Sequence, residues 1–317
     1  MDIININTST NWIWGKYMDV TIKARAKINL ALDVTGKRDD GYHNLRTIMQ
    51  TVYLHDQLTL KRVDTYPLKL VCNAPNLPVD ERNLVYRAAI YLKNTYKLPG
   101  GLFIDLRKNI PISAGLAGGS ADCAAAILGI NRLYNLKLTD NELLEIGARF
   151  GADVPFCLIG GTALAEGKGE ILTRLYPHPS VSVVIAKPPM SISTAAVFKG
   201  FDKNKHTEGK NIDNIILNLN KKDINGIACG FYNALEDVSI NLCPDIVKIK
   251  EAFLKTGAIG ALMSGSGPSV FAYFNDQKQA WNAMKIIKRN MPHLKQFLTG
   301  TFNEPMYSCE IGGRVWP

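Results

Sequence analysis

The sequence predicts an α+β protein with two domains. Its 317 residues suggest two domains at roughly 150 residues each. A content of 46% hydrophobic and 21% charged residues is typical of a globular protein with a sizeable core. Strand-like and helix-like segments do not alternate in strict βαβ order, which favours an α+β arrangement over a doubly wound sheet. Two prolines in the stretch 171–180 indicate a domain boundary, so we expect domains at 18–175 and 176–317. Residues 1–17 are expected to form an extension outside the fold.

Strands dominate the first part of the chain. Residues 20–33 (VTIKARAKINLALD) alternate apolar and polar side chains for much of their length, the period of a half-buried strand. The turn formers GKRDDG follow at 36–41 and end this strand. We then expect the two strands of a hairpin at 47–54 and 58–63, a helix at 83–96 and a short strand at 102–106.

A glycine-rich loop leads directly into an alanine-rich helix in residues 111–134 (PISAGLAGGSADCAAAILGINRLY). A capping-box pattern at Thr139 and Glu142 begins the next helix, and Gly151 ends it. Apolar spacing and glycine or proline breaks predict the remaining elements: strands at 162–165 and 181–186, a short helix around 212–219, a helix at 245–256, a strand–turn–strand unit at 258–274 and a helix at 277–290.

The loop before the helix has the composition of an anion site. Its glycines let the backbone approach a ligand without interference from a Cβ atom. The first N–H groups of a helix have no internal partner, and with the positive end of the helix dipole they suit a phosphate. Ser120 adds a hydroxyl that can reach a phosphate oxygen or a magnesium ion. A structural turn is the alternative, since the loop matches neither GxGxxG nor GxxxxGK[ST].

Charge and cysteine content limit which ligands and partners the sequence predicts. A net charge of +9 is compatible with an ordinary basic protein or with one that attracts nucleotide phosphates or nucleic acid. Six cysteines without a CxxC pair predict neither a zinc site nor a disulfide framework. We therefore expect free thiols in a cytoplasmic protein. We also expect no membrane partner, because no apolar run reaches the roughly 18 residues of a membrane span.

Three separated segments resemble one enzyme family: residues 24–52 (ARAKINLALDVTGKRDDGYHNLRTIMQTV), 111–126 (PISAGLAGGSADCAAA) and 151–156 (GADVPF). The loop fits the P-x-x-x-G-L-x-G-S-x-A pattern of GHMP kinases with one extra glycine, and LMSGSGPSVF at 262–271 is similar to a further GHMP motif. Within this superfamily, the chain resembles the 4-diphosphocytidyl-2-C-methyl-D-erythritol kinases from residue 18 to about 274.

The resemblance implies a fold and a reaction. The fold would be an N-terminal domain like ribosomal protein S5 domain 2, followed by a ferredoxin-like domain. The enzyme would use ATP, with Mg²⁺, to phosphorylate the 2-hydroxyl of a cytidine-diphosphate-linked methylerythritol in the non-mevalonate route to isoprenoid precursors. Magnesium is coordinated largely by phosphate oxygens and water and needs few protein ligands, so no metal ligand is predicted. Asp122 is expected to interact with the helix dipole rather than with metal.

The resemblance also assigns roles to residues. Asp153 would be the catalytic aspartate, acting as base or mainly orienting the hydroxyl, and Lys27 beside it would hold the carboxylate ionised. From the residues alone, Asp153 could instead cap a helix and Lys27 could be a solvated strand residue. The loop positions expected to bind ATP are Pro111, Ile112, Ser113, Ala114, Gly115, Leu116, Ala117, Gly118, Gly119, Ser120 and Ala121; alanine at 117 replaces a residue that is often glycine in the family.

The substrate-binding predictions concern the cytosine base. Tyr42 would stack on the base and His43 would hydrogen-bond its edge, as aromatic and polar side chains do with unstacked bases. Thr194 and Phe198 resemble the segment that closes the other side of this pocket. Asn29 lies two residues beyond the predicted catalytic lysine on the same strand face and could contact the substrate.

Other functions remain open at this stage. Mevalonate, homoserine or galactose kinases share the superfamily, but the GKRDDGYHNL segment at 36–45 argues against them because they bind no cytosine. A basic nucleic-acid-binding protein would leave the glycine loop and Asp153 unexplained. Loss of catalysis in a regulator is disfavoured by the presence of both Lys27 and Asp153. We therefore expect a small-molecule kinase with no nucleic-acid partner, acting as a monomer or homodimer.

Overall fold

The computed structural model describes residues 19–203 and 212–305 together with the backbone of 310–311 and 314–315. The predicted extension at 1–17 lies outside the described residues. The strands are β1 (Asp19–Lys37), β2 (His43–Val63), β3 (Leu68–Cys72), β4 (Gly101–Arg107), β5 (Thr162–Gly167), β6 (Ile171–Arg174), β7 (Ser182–Lys187), β8 (Tyr232–Asn233), β9 (Gly260–Met263), β10 (Val270–Phe274), β11 (Lys295–Gly300), β12 (Glu310–Ile311) and β13 (Arg314–Val315). The helices are α1 (Leu84–Thr95), α2 (Gly118–Leu133), α3 (Asp140–Ala148), α4 (Asp153–Ile159), α5 (Thr194–Phe201), α6 (Asp213–Lys221), α7 (Ile224–Cys229), α8 (Glu236–Leu242), α9 (Asp245–Lys255) and α10 (Gln277–Asn290).

A long antiparallel hairpin forms the centre of the first sheet. Strands β1 and β2 pair from Asp19 opposite Lys61 to Lys37 opposite His43, with register shifts that let the strands bend. The prediction of separate strands at 47–54 and 58–63 is wrong, because β2 runs through both and pairs with β1 on each side of Asp56. The polar residues between the two runs do not form a turn, since Asp56 pairs with Ala24 of β1. The Asp56 side chain is fully buried.

Other strands extend this hairpin into a sheet. Strands β4 and β5 pair with different halves of β2, β3 is parallel to β4, and β6 pairs with β5. Later chain segments complete the sheet, because β8 and β12 both pair with β1.

Helix α2 packs directly on the central hairpin. Its Ala124, Ala125 and Ile127 belong to the same buried cluster as Leu60 of β2. A Cβ atom at Gly129 would lie 2.5 Å from the Leu60 side chain, so the glycine permits close contact between helix and sheet. Helices α1, α3 and α4 pack around α2. This packing fixes where α2 begins, and with it the position of the glycine loop.

The second sheet has the strand order β11–β7–β10–β9 and is antiparallel throughout. Helix α9 precedes β9 and α10 joins β10 to β11, and both helices pack on this sheet through buried residues such as Phe253 and Ile287. This βαββαβ arrangement, with further helices inserted after β7, is the ferredoxin-like pattern. The predicted α+β fold class is confirmed. The division between 175 and 176 stays a prediction; it falls between β6 and β7.

None of the helices in the described part of the chain combines the length and the apolar character needed to cross a membrane.

Candidate active site

A cleft of about 1620 Å³ collects side chains from distant parts of the sequence. Strands β1 and β2, the start of α2, the start of α4, helix α5 and the loop before β10 all contribute to its walls. Leu116 and Ala121 are instead buried in the core, so the structure does not bring these two predicted ATP-binding side chains to the cleft. The other predicted site residues line it: Lys27, Asn29, Tyr42, His43, Pro111, Ile112, Ser113, Ala114, Gly115, Ala117, Gly118, Gly119, Ser120, Asp153, Thr194 and Phe198.

The glycine loop presents the start of α2 to the cleft. Helix α2 begins at Gly118, within the glycine-rich stretch, and Ala117 precedes it in a left-handed conformation at φ 55°. Glycine adopts that conformation more easily than alanine, so a glycine would also fit at this position. Ala117 provides no side-chain cap, so the first N–H groups of α2 remain available to an anion.

Backbone and side-chain bonds hold the loop from two sides. The Lys27 N–H donates to the Leu116 carbonyl at 3.1 Å, and the Ser264 hydroxyl donates to the Gly115 carbonyl at 2.9 Å. Gly115 has φ 73°, and a Cβ atom there would lie 2.1 Å from the Ser264 carbonyl oxygen. The glycine loop is therefore fixed between β1 and the loop that begins at Ser264.

Gly115→Ala should weaken ATP binding for two reasons. The new methyl group would collide with a main-chain oxygen, and the alanine backbone would have to adopt an unfavourable positive φ. We expect the Kd for ATP, measured by calorimetry, to rise by about tenfold or more, which corresponds to about 1.4 kcal/mol. Gly36→Ala is the matched control, since a Cβ atom at Gly36 meets nothing within 4 Å. Unchanged ATP affinity in Gly115→Ala would show that the loop is not held as described.

Lys27 and Asp153 form a charged pair at the floor of the cleft. Lys27 Nζ lies 3.7 Å from Asp153 Oδ2, with side-chain exposures of 6% for the lysine and 35% for the aspartate. Asp153 is the first residue of α4 and Ala152 is the N-cap, so the alternative that Asp153 serves as the cap is wrong. The pair thus combines a buried ammonium with a carboxylate that remains open to a ligand.

A chain of hydrogen bonds orients this lysine. Lys27 Nζ donates to Asn29 Oδ1 at 2.6 Å, and Asn29 Nδ2 donates to the Thr47 hydroxyl at 2.8 Å. The Thr47 hydroxyl in turn donates to the Ala31 carbonyl at 2.6 Å. Both ends of the Asn29 amide are engaged, so Asn29 orients Lys27 in this structure. Thr47 was missed by the sequence analysis, although the β1–β2 hairpin places it opposite Leu32, close to Asn29.

The predicted base-binding side chains Tyr42, His43, Thr194 and Phe198 all line the cleft. The His43 and Phe198 rings stack with centroids 4.9 Å apart and an interplanar angle of 22°. Tyr42 is 62% exposed, and Lys168 Nζ lies 4.9 Å from the centroid of its ring. The Thr194 and Ser266 hydroxyls are 2.8 Å apart. Thr194 and Phe198 both belong to α5, a helix that the sequence analysis did not predict.

A buried charge cluster beside the loop was also missed. Lys108 Nζ bonds to Asp56 and, at 2.5 Å, to Asp122 Oδ2. Burial alone would lower the pKa of Lys108, but the two carboxylates outweigh it and raise that pKa. Burial, reinforced by Asp56, raises the pKa of Asp122 well above its usual value. The expectation that Asp122 mainly meets the helix dipole is therefore wrong, since its partner is Lys108.

Few groups near the loop could hold a metal ion. Residues 19–203 and 212–305 contain no cluster of three or more His, Cys, Asp or Glu side chains suited to a metal. Asp122 Oδ1 is buried without a hydrogen-bond partner in this part of the chain, and Ser120 lines the cleft in the first turn of α2. Oxygen donors of this kind fit Mg²⁺, which fills its other positions with phosphate oxygens and water.

Sequence relatives identify the family. A protein of Lachnospira eligens named 4-diphosphocytidyl-2-C-methyl-D-erythritol kinase is 45% identical over 283 residues, which cover 89% of this chain and 98% of that protein. The chain belongs to the 4-diphosphocytidyl-2-C-methyl-D-erythritol kinase family. A protein of the same name from Clostridium botulinum is 44% identical over 280 residues, covering 88% of this chain and 99% of that protein. The profiles described as GHMP kinases N terminal domain and GHMP kinases C terminal match residues 83–161 and 215–293.

Solved structures agree with this family. A crystal structure of 4-(cytidine 5'-diphospho)-2C-methyl-D-erythritol kinase matches with a TM-score of 0.76 and 30% identity, covering 89% of this chain and 98% of the other. A homoserine kinase from Cytophaga hutchinsonii also has a TM-score of 0.76, at 20% identity, covering 95% of this chain and 99% of the other. At that identity the second match shows the fold alone. The family resemblance seen in the sequence motifs is confirmed.

Proposed function

We propose that this protein transfers the γ-phosphoryl group of ATP to the 2-hydroxyl of 4-diphosphocytidyl-2-C-methyl-D-erythritol, giving the 2-phosphate and ADP. This reaction belongs to the non-mevalonate route to isoprenoid precursors. One observation carries the proposal: a single cleft joins the open start of α2, the Lys27–Asp153 pair and the stacked rings of His43 and Phe198. These three features suit a phosphate, a reacting hydroxyl and a base, in that order.

The chemistry assigns one task to each feature. The N–H groups at the start of α2 hold the triphosphate and compensate its charge. Asp153 orients the acceptor hydroxyl and takes its proton, and the Lys27 ammonium lies 3.7 Å from the Asp153 carboxylate. The hydroxyl oxygen forms a bond to the γ-phosphorus, and the bond from that phosphorus to the bridging oxygen of ADP breaks.

We propose Mg²⁺ as the companion of ATP. Ser120 Oγ and Asp122 Oδ1 are the oxygen donors of this chain that would hold it. When bound, the ion would neutralise charge on the phosphate oxygens. The positive ion would also favour the ionised form of Asp122, whose pKa is raised chiefly by burial.

We also propose that the protein acts in the cytoplasm as a monomer or homodimer, without a nucleic-acid partner. One copy of the chain carries the phosphate loop, the charged pair and the base pocket in the same cleft. A second copy is therefore not needed to complete the site.

The test is ADP release in a coupled assay with three acceptors: the cytidine-linked methylerythritol, mevalonate and homoserine. We expect turnover with the first acceptor only, with the product phosphate on its 2-oxygen by ³¹P NMR. Turnover with mevalonate or homoserine alone would contradict the proposed substrate while leaving a kinase of the same superfamily. Absence of turnover with all three acceptors would contradict the proposed reaction.

A further inference from the structure

Asp202 connects the base pocket to a cation on β1. It follows the last residue of α5, and its Oδ1 lies 2.7 Å from His43 Nε2. Its other oxygen, Oδ2, accepts from Lys37 Nζ at 2.6 Å. The hydrogen bonds from Lys37 and His43 hold the pKa of Asp202 below its usual value. Asp202 is therefore an ionised acceptor, with one oxygen for each partner.

This contact fixes which His43 nitrogen carries the proton. An ionised carboxylate has no hydrogen to donate, so His43 Nε2 must donate to Asp202. In the neutral imidazole the other nitrogen, Nδ1, is then an acceptor. Across residues 19–203 and 212–305, nothing forms a hydrogen bond to His43 Nδ1. The neutral ring thus offers a ligand one acceptor, Nδ1, because Asp202 holds the proton on Nε2.

The same helix also fixes the plane of the His43 ring. Phe198 stacks on the ring at 4.9 Å, and Phe201 meets it edge-on with centroids 6.3 Å apart. Asp202 follows these two aromatic residues directly, and the His43 side chain is buried. A ring fixed in plane and in tautomer can discriminate between ligands by hydrogen-bond polarity.

We propose that Asp202 is a positioning residue that makes His43 select cytosine over uracil. Cytosine presents an amino donor at the ring position where uracil presents a carbonyl acceptor. An acceptor at His43 Nδ1 pairs with the amino group and faces the uracil oxygen without a proton between them. The inference rests on the proposed function, because it assumes that the base binds beside His43.

Asp202→Asn should invert this polarity. The Lys37 ammonium needs an oxygen acceptor, so the amide oxygen of the variant should face Lys37 and its NH₂ should face His43 Nε2. His43 would then accept at Nε2 and carry its proton on Nδ1, which suits uracil. We expect the Kd ratio of UDP to CDP, measured by calorimetry without turnover, to be about ten or more in the unmodified protein and to fall at least about tenfold in Asp202→Asn.

Two further variants separate polarity from packing. Asp202→Glu restores a carboxylate and should keep the preference for CDP. In the double variant Lys37→Met with Asp202→Asn, the amide is free to turn its oxygen toward His43, so much of the preference for CDP should return. The ¹⁵N shifts of His43 should report a proton on Nε2 in the unmodified protein and on Nδ1 in Asp202→Asn.

The possible outcomes distinguish this inference from the proposed function. If the unmodified protein phosphorylates the cytidine-linked acceptor but Asp202→Asn weakens CDP and UDP equally, the role of Asp202 is wrong and the function stands. A proton on Nδ1 of His43 in the unmodified protein would overturn the inference in the same way. An unmodified protein that binds CDP and UDP equally would contradict both the inference and the proposed base pocket.

Discussion

Asp153→Asn is expected to lower kcat by about 10²- to 10⁴-fold, the range typical of a positioned acid–base group. Asparagine keeps the size of the side chain but cannot take a proton from the acceptor hydroxyl. Affinity for ATP should stay within about twofold, because the proposed phosphate contacts come from the start of α2 rather than from α4. Steady-state kinetics and calorimetric ATP binding provide the two measurements.

The control for Asp153→Asn is Asp245→Asn. Asp245 is likewise the first residue of its helix, α9, but it does not line the cleft. Loss of a favourable helix-dipole interaction should therefore be similar in both variants, while only Asp153→Asn should lose turnover. Retention of more than about half of kcat in Asp153→Asn would remove Asp153 from the proposed chemistry.

Lys27→Met should also lower kcat, and its effect should not add to that of Asp153→Asn. The two groups lie 3.7 Å apart and are proposed to act on the same proton, so removal of either should disable one unit. Full additivity in the double variant would indicate that the ammonium and the carboxylate act separately.

Local patterns predicted much of the fold, because hydrophobic periodicity, helix caps and glycine or proline breaks are local properties of the sequence. The predicted helix at 277–290 coincides with α10 (Gln277–Asn290), where Asp276 caps the helix. The prediction of separate strands at 47–54 and 58–63 failed for a physical reason, since a buried aspartate looks like a turn residue when its partner is unknown. That partner, Lys108, lies 52 residues away along the chain.

Candidate site residues were likewise predicted where they belong to a local motif and missed where they depend on a distant partner. Lys27, Asp153 and the glycine loop each sit in a contiguous motif, and the structure brings all three to one cleft. Their catalytic and binding roles stay predictions. Asp202 belongs to no motif. Its role depends on contact with His43, 159 residues earlier, and on a helix that had not been predicted. Single-sequence patterns record which residues are present, but such pairings arise only when the chain folds.

The cluster of Asp56, Lys108 and Asp122 illustrates how much can depend on one long-range pairing. Asp56 Oδ1 accepts from the Ile110 N–H at 2.7 Å as well as facing Lys108 through its other oxygen. The cluster therefore ties β2 to the segment that enters the glycine loop. Asp122 extends the same ion pair to the first turns of α2.

Lys108→Met is expected to destabilise the protein by about 3–5 kcal/mol, the cost of leaving buried charge without its partner. Both Asp56 and Asp122 are almost completely buried, so water cannot replace the lost ammonium. At about 2–4 °C of melting temperature per kcal/mol, the loss should be about 10 °C. Differential scanning calorimetry and urea unfolding measure it directly.

A second substitution shows whether unpaired charge causes this loss. Asp122→Asn alone should cost about 1 kcal/mol, since it removes one charge-assisted hydrogen bond but also a carboxylate that is costly to ionise. When it is added to Lys108→Met, it should recover part of the lost stability, because one buried carboxylate no longer lacks a cation. A double variant less stable than Lys108→Met, or a Lys108→Met variant within about 1 kcal/mol of the unmodified protein, would contradict the described cluster.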